Sequence, residues 1–291
     1  MSCTLNMALP PNILRRVREE ISRRWPDARL GAPDIHEEMY AFASNFGNGP
    51  LPSLTLTAYP QVALRAAALA KAGRLARPAF DLPPLREEYA RIGLTAPLEE
   101  LPLVAVVTGV LAAGASLLPR IKDWADLCAP DFPGPVGCPP KDTPMPYLAE
   151  ALLRKIAGER AEHVLSILDT ASNPLDINKR LSNGELKAAL IIPAFARTFR
   201  EGLAGMIWPA SGALAVPLTA CLSAQAPGEA HEILAWLLSE EFQRDVLVKG
   251  VIAPVRADVD GFEELEENGW NLLWPGWELL YDVARTMLAA R

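Results

Sequence analysis

The sequence predicts an α/β protein, and two observations support that fold class. Amphipathic helical segments alternate with short apolar runs along the whole chain. The apolar runs lack the polar alternation of half-exposed strands, which is typical of sheets covered by helices on both faces. With 291 residues, the chain is long enough for two domains.

The elements of the N-terminal part follow from periodicity and from helix-end signals. The first helix has an apolar stripe formed by Ile13, Leu14, Val17, Ile21 and Trp25. A strand is predicted over 54–57, and an alanine-rich helix over 60–72 ends at Gly73, a usual helix stop. The proline-rich stretch 78–97 is predicted to be loop around a short helix at 86–92.

Residues 101–119 have about the length and the hydropathy of a membrane span. The segment nevertheless contains Pro102, Gly109 and Gly114, and its centre is rich in β-branched residues. These features favour a buried strand over 103–112 followed by a turn, so the chain is not expected to span a membrane.

The rest of the chain is predicted to continue the alternation of helices and strands. Thr143 is a suitable N-cap, with Pro144 as the first residue of a helix that ends at Gly158. Ser239 is the expected cap of a helix that begins with acidic residues. Further helices are predicted over 121–127, 161–170, 175–181, 228–238 and 277–290, and strands over 188–192, 205–208 and 213–217.

Charge and cysteine content narrow the class of protein. The formal net charge of −7 disfavours nucleic acid as a partner, because such binding draws on a positive field. Cys128 and Cys138 are ten residues apart. Two free thiols are favoured, and a disulfide between them is the alternative. The first residues lack a long apolar run, so the chain as written is expected to be cytoplasmic, or periplasmic if a signal has been removed.

Common catalytic and cofactor motifs are missing from the sequence. It contains no dinucleotide or P-loop glycine pattern and no H-E-x-x-H, and its three histidines are far apart. Ser211-Gly212 lacks a nucleophile-elbow glycine, because position 209 is proline. We therefore predict no catalytic residue, no metal ligand and no cofactor.

Five segments from Leu101 onward follow the order of a known family. They read LPLVAVVTGVLAA, IKDWADLCAPDFPGPVGCPP, LSNGELKAAL, IWPASGALAVP and AHEILAWLLSEEFQRDVLVKGVIAPVR. The last of them spans more than twenty residues (230–256), and the family's spacing is kept in it by Leu238, Ser239, Gln243, Gly250, Pro254 and Arg256. The chain thus resembles the type II periplasmic-binding-protein class of ABC importers, closest to the branch of iron and other small-solute binders. The first hundred residues match more loosely.

The resemblance implies an α/β fold of two lobes, each a mixed sheet flanked by helices, with a ligand cleft between them. Lobe 1 would comprise 1–104 and 213–291, and lobe 2 would comprise 105–212. It also implies non-enzymatic binding of a small solute (an anion, a carboxylate or a metal complex). The partner would be an ABC permease or another protein, or the chain would be a cytoplasmic sensor relative.

An enzyme built on the same two-lobed fold is the alternative, because a fold does not fix a function. A carboxylate with a raised pKa, such as Asp142 or Asp169, would favour that alternative.

The resemblance places candidate ligand contacts in both lobes. Lobe 1 would contribute two loops, formed by Asn6 and Met7 and by Thr57, Ala58 and Tyr59. Tyr59 has the alternative of packing under the following helix. Lobe 2 would contribute Thr143, Phe195, Arg197, Trp208 and Ser211.

Several lobe 2 positions keep more than one interpretation. Thr143 suits an anion through its hydroxyl and nearby helix N–H groups, or it is simply a helix cap. Arg197 could bind a carboxylate with two hydrogen bonds or lie on the surface. Trp208 would line the cleft or fill the hinge core. Phe195 stands where the family's ferric binders carry tyrosines, so tyrosinate-bound iron is disfavoured.

Overall fold

A computed structural model of the chain describes residues 3–31, 36–171 and 173–290, and it divides into two compact units. Unit 1 contains the chain up to Val107, Val216–Glu267 and the chain from Gly276 onward. Unit 2 contains Thr108–Ala215 and Asn268–Pro275. The lobe limits predicted from the sequence lie near the first two boundaries between the units. They differ from the units in assigning 268–275 to lobe 1. The lobe limits stay predictions.

The described strands and helices alternate along the chain, as the fold class requires. The strands are β1 Thr4–Met7, β2 Arg29–Gly31, β3 Leu54–Thr57, β4 Leu75–Ala76, β5 Leu103–Gly114, β6 Val136–Gly137, β7 Leu168–Asp169, β8 Ala188–Ile191, β9 Ala204–Ile207, β10 Ala213–Ser223, β11 Ala253–Pro254 and β12 Leu272–Leu273. The helices are α1 Pro11–Arg24, α2 His36–Asn45, α3 Pro60–Lys71, α4 Glu87–Arg91, α5 Met145–Ala157, α6 Ala161–Ser166, α7 Pro174–Ser182, α8 Pro193–Ala196, α9 Gly228–Leu237, α10 Glu240–Phe242, α11 Glu263–Glu267 and α12 Trp277–Ala289. Short 3₁₀ turns lie at Trp124–Cys128 and Gly158–Arg160, and a π-helical turn at Gln243–Val248.

In unit 1, a mixed sheet has the strand order β2-β1-β3-β10. Strand β1 runs parallel to β2 and β3, whereas β10 pairs with β3 in the antiparallel sense, with Thr219 opposite Thr57. Strand β4 extends the pairing of β10, and β11 pairs with the first part of β5. Helices α3 and α12 pack closely together in the same unit.

In unit 2, the strand order is β5-β8-β6-β7. Strands β8 and β9 both pair with β5 in the antiparallel sense. Strands β6, β7 and β8 run parallel, and β12 pairs with the beginning of β10. Both units are therefore mixed sheets flanked by helices, which confirms the predicted fold class.

The apolar run that resembles a membrane span is strand β5. Its side chains are buried except at Val107 and Gly114, which are half-buried. Because side chains on both faces of the strand are buried, neither face calls for polar residues, which explains why its sequence is almost continuously apolar. Among the described residues, no helix has both the length and the hydropathy needed to cross a bilayer.

Several element boundaries differ from the sequence prediction. The helix predicted over 121–127 is a 3₁₀ turn at Trp124–Cys128, which begins after the N-cap residue Asp123. The helix predicted over 161–170 ends at Ser166, because Leu168 and Asp169 pair with β6 as strand β7. Strand β10 continues to Ser223, although the prediction ended it at Pro217. Its pairing with β12 ends at Leu214 and its pairing with β3 begins at Thr219, so those contacts do not use the N–H that proline lacks.

The fully buried Gln243 explains why the C-terminal motif keeps its spacing. Its Nε2 donates to the carbonyls of Val104 and Leu237, both at 2.9 Å. Its Oε1 accepts the backbone N–H of Val255 at 2.8 Å. One amide thus joins β5, α9 and the chain that follows β11. Gly250 has no room for a side chain, because a Cβ there would overlap Ile13.

We expect Gln243→Leu to destabilise the protein strongly. The substitution leaves two buried carbonyls and one buried N–H without partners, at about 1–3 kcal/mol each, so a loss of roughly 3–5 kcal/mol is expected. Urea unfolding measures the loss. The matched control is Gln225→Leu at an exposed position, which should change stability by less than about 0.5 kcal/mol. Equal effects of the two substitutions would contradict this explanation of the motif.

Candidate functional site

In unit 1, the first two candidate residues lie on a strand rather than in a loop. Asn6 is half-buried in β1, between Gly31 of β2 and Thr55 of β3. Met7 is completely buried. The side chain of Met7 therefore belongs to the core, and only its backbone is left to meet a solute.

The second candidate loop of unit 1 joins β3 to α3. Thr57 is almost fully buried, and its Oγ1 accepts the N–H of Tyr59 at 3.0 Å. Tyr59 is the N-cap residue of α3 but makes no side-chain cap, and only 6% of its surface is exposed. This burial agrees with the alternative in which Tyr59 packs beside its helix. Ala58 is half-buried between the two.

Gln61 is a polar residue of this region that the sequence reasoning missed. It lies in the first turn of α3 and is completely buried. Neither its Nε2 nor its Oε1 has a hydrogen-bond partner among the described residues. A buried amide without partners is costly, so such a group needs an explanation. The available signal was a glutamine inside an otherwise apolar helix face.

In unit 2, the predicted capping role of Thr143 is wrong. Helix α5 begins at Met145, with Pro144 as its N-cap residue and no side-chain cap. The Thr143 hydroxyl instead donates to the carbonyl of Pro140 at 2.6 Å, and its N–H bonds to the same oxygen. Because its hydroxyl is bonded to Pro140, Thr143 does not cap the first N–H groups of α5.

Ser211 and Trp208 belong to a hydrogen-bonded turn between β9 and β10. Ser211 Oγ donates to Asp123 Oδ1 at 2.6 Å, and the same oxygen accepts the N–H of Trp124 at 2.8 Å. Trp208 Nε1 donates to the carbonyl of Asn271 at 2.9 Å. Asp123 was not among the predicted residues; its N-cap spacing to Asp126, three residues later, was the available signal.

These bonds limit what Thr143 and Ser211 can offer a solute. A hydroxyl has one hydrogen to donate and two lone pairs to accept. Both hydroxyls give their hydrogen to an oxygen of the protein. They are therefore left as acceptors, which suits a donor group of a solute better than an anion.

Phe195 and Arg197 lie in the turn that follows strand β8. Phe195 is half-buried in the four-residue helix α8, and Arg197 follows it with an exposed side chain. The carbonyl of Phe195 accepts Nδ2 of Asn178 from helix α7 at 2.7 Å. The structure thus brings together the two candidate residues and a third, Asn178, that sequence reasoning did not single out.

The four cysteines do not form a reactive group. All four are buried and free, which agrees with the prediction of thiols at Cys128 and Cys138. Burial raises the pKa of the Cys3 thiol to about 11 and that of Cys221 to about 12. Thiols with raised pKa values are poor nucleophiles at neutral pH. Within the described ranges, no group of three or more histidine, cysteine or acidic residues is arranged to hold a metal ion.

The carboxylate of Asp169 does not have the raised pKa that an enzyme would favour. Arg180 Nη2 donates to it at 2.6 Å, and this bond lowers the pKa of Asp169. A second bond from the N–H of Ala171 acts in the same direction. Asp169 is thus an ion-pair partner that holds the end of β7 against α7.

Comparison with protein families identifies the chain. The family model of bacterial extracellular solute-binding proteins matches residues 67–283, about three quarters of the sequence. The chain belongs to this family. It is therefore a solute-binding protein of the kind used by ABC transporters, and it is a binder rather than an enzyme. No curated protein matches the sequence.

Solved structures of periplasmic binding proteins share the fold of this solute-binding protein. Apo ferric ion-binding protein A from Pasteurella haemolytica has a TM-score of 0.74 at 11% identity, covering 98% of this chain and 95% of that one. Iron-bound HitA from Pseudomonas aeruginosa has a TM-score of 0.73 at 20% identity, covering 99% and 98%. A Trichodesmium protein (IdiA, FutA) with iron and citrate ligands has a TM-score of 0.69 at 15% identity, covering 98% and 96%.

The ion pair of Asp169 predicts a pH-dependent contribution to stability. Because the folded pKa of Asp169 is lowered, the contribution is full above the unfolded value of about 3.9 and disappears as the pH falls through the folded value. Asp169→Asn should therefore be less stable than the parent protein at neutral pH, and the difference should close as the pH falls below the unfolded value. Asp131→Asn, at an exposed ion pair with Arg120, is the control and should change stability by less than about 1 kcal/mol at neutral pH. A difference that stays constant with pH would contradict the assignment.

The Asp123 hydrogen bonds predict a local loss of stability. Asp123→Ala removes the partners of Ser211 and Trp124 and should lower the free energy of unfolding by about 1–3 kcal/mol. Asp131→Ala removes a carboxylate that forms an exposed ion pair with Arg120 and should cost less than about 1 kcal/mol. Chemical denaturation measures the free energy of unfolding of both variants. Equal losses of stability would contradict the proposed role of Asp123.

Proposed function

We propose that this solute-binding protein binds a small anionic solute (an anion, a carboxylate or a metal complex) and delivers it to an ABC permease. Family membership supports the binding role and the transporter partner. The solute class is proposed from Arg197, which follows α8 in the turn after β8 and has an exposed side chain. A guanidinium binds carboxylate and phosphate groups with paired hydrogen bonds.

The proposed contact residues come from both units. Unit 1 would contribute Asn6, the backbone of Met7 and the 57–59 loop. Unit 2 would contribute Phe195, Arg197 and Trp208, and the hydroxyls of Thr143 and Ser211 would accept from a hydroxyl or other donor group of the same solute. We add Gln61 to the proposal, because its buried amide has one unpaired donor group and one unpaired acceptor.

The proposed site of action is outside the cytoplasmic membrane, and the periplasm fits the extracellular family to which the chain belongs. A nucleic-acid partner is not part of the proposal, because the net charge is −7. The permease would dock on the protein when the solute is bound, as the transport role requires.

A thermal-shift screen tests the proposed solute class. The protein is unfolded and refolded to remove bound solute, then heated with inorganic phosphate, sulfate, citrate, ferric citrate and amino acids. A ligand at 100 times its Kd stabilises by about 2.7 kcal/mol, which raises Tm by roughly 5 °C or more. We expect a rise with at least one anionic compound. A flat response across the panel would refute the proposed solute class.

The role of Arg197 is tested with the compound that gives the largest shift. Arg197→Ala should weaken its binding at least about tenfold, since a paired charge-assisted hydrogen bond is lost. Arg200→Ala is the matched control, because it removes the same charge from an exposed position three residues away. Its Kd should stay within about twofold. Equal weakening by both variants would show a general charge effect instead of a contact.

A further inference from the structure

The turn after β8 is closed by a triangle of hydrogen bonds. Asn178 Nδ2 donates to the carbonyl of Phe195 at 2.7 Å and to Thr198 Oγ1 at 2.6 Å. Thr198 Oγ1 in turn donates to the same carbonyl at 2.7 Å. The N–H of Thr198 also bonds to it at 3.0 Å. One backbone oxygen therefore collects the bonds that define the turn.

Helix α8 cannot hold this turn by itself. It has four residues, and helices shorter than about 12 residues are marginal without tertiary contacts. Its conformation must be fixed by neighbouring elements. Asn178 supplies such a contact from α7, a nine-residue helix that is capped by Asn173 and buries Ile177 and Leu181.

The choice of asparagine at 178 is otherwise unfavourable. Its side chain is buried, with 8% of the residue exposed, and its Oδ1 has no hydrogen-bond partner among the described residues. A buried acceptor without a partner costs about 1–3 kcal/mol, whereas an apolar residue of similar size would avoid that cost. The two bonds donated by Nδ2 are the compensating interaction.

We propose that Asn178 is a positioning residue of the solute site. By holding the Phe195 carbonyl and Thr198, it fixes the turn that carries Phe195 and Arg197. Its effect on the solute passes through the turn. This inference rests on the proposed function, which assigns those two residues to the solute.

Amide hydrogen exchange tests the positioning without any solute. Asn178→Leu keeps the branched shape of the side chain, at a larger volume, and removes both donors; Asn178→Ala is the second variant if leucine does not fit. Either variant should accelerate exchange of the 195–199 amides at least about tenfold, while amides of α7 and β8 change less than about threefold. Thr198→Val, which removes one corner of the triangle, should have an intermediate effect.

Ser182→Ala is the matched control, because Ser182 Oγ bonds to the backbone carbonyl of Asn178 without joining the triangle. It should leave exchange of the 195–199 amides unchanged. Unchanged exchange in both Asn178 variants would overturn the proposal. An equal acceleration through α7 and β8 would also overturn it, since Asn178 would then act only on general stability.

Ferric citrate serves as the probe for the binding consequence. If the parent protein binds it, Asn178→Leu should weaken binding about tenfold, and Ser182→Ala should stay within about twofold. Retained affinity in Asn178→Leu, with accelerated exchange, would overturn the link to the solute. If the parent protein does not bind ferric citrate, this metal complex is excluded as the solute. The exchange measurement then decides by itself whether Asn178 fixes the turn.

Discussion

The structure depends on the burial of two long strands, β5 and β10. Their side chains are inside the protein over almost their whole length, so their backbone polar groups need partners within the fold. Unit 1 supplies partners through β3, β4 and β11, and unit 2 supplies them through β8, β9 and β12. The ends of β3, β8 and β9, where most candidate contact residues lie, are placed by this pairing.

Polar side chains next to these strands mainly form hydrogen bonds that stabilise turns. The hydroxyls of Thr57, Thr143 and Ser211 each bond to nearby protein groups. Such bonds are sufficient to explain why short polar residues follow strands, independently of any contact with a solute. Residue type at a strand end is therefore weak evidence of contact, and the direction of each hydrogen bond decides which chemistry remains available.

Local signals allowed most of the fold to be predicted. Periodicity and end signals place α3 and α7 within one residue, because those helices are amphipathic and begin or end at proline, asparagine or glycine. Strand β7 escaped prediction because pairing with β6, a tertiary interaction, overrides a helical pattern.

The candidate site could be predicted from the sequence less well than the fold. The isolated matches at Asn6 and Thr57 carry no information on burial. The unpaired amide of Gln61 and the triangle at Asn178 are visible only when separate segments are brought together. The role of each residue follows from its neighbours in space, whereas the resemblance supplied only its place in the chain.

The residues proposed for the solute favour holding an already assembled anion over extracting a bare metal ion. Phe195 has a phenyl ring where ferric binders of the branch carry a phenolate, and a ring without oxygen cannot ligate a hard cation. Arg197 repels cations and attracts carboxylate or phosphate groups. Amides such as Gln61 and Asn6 add neutral donors and acceptors, which recognise the outer surface of a carboxylate or of a metal complex without replacing its ligands. The proposed contact residues therefore suit a preformed anion or complex better than a bare metal ion.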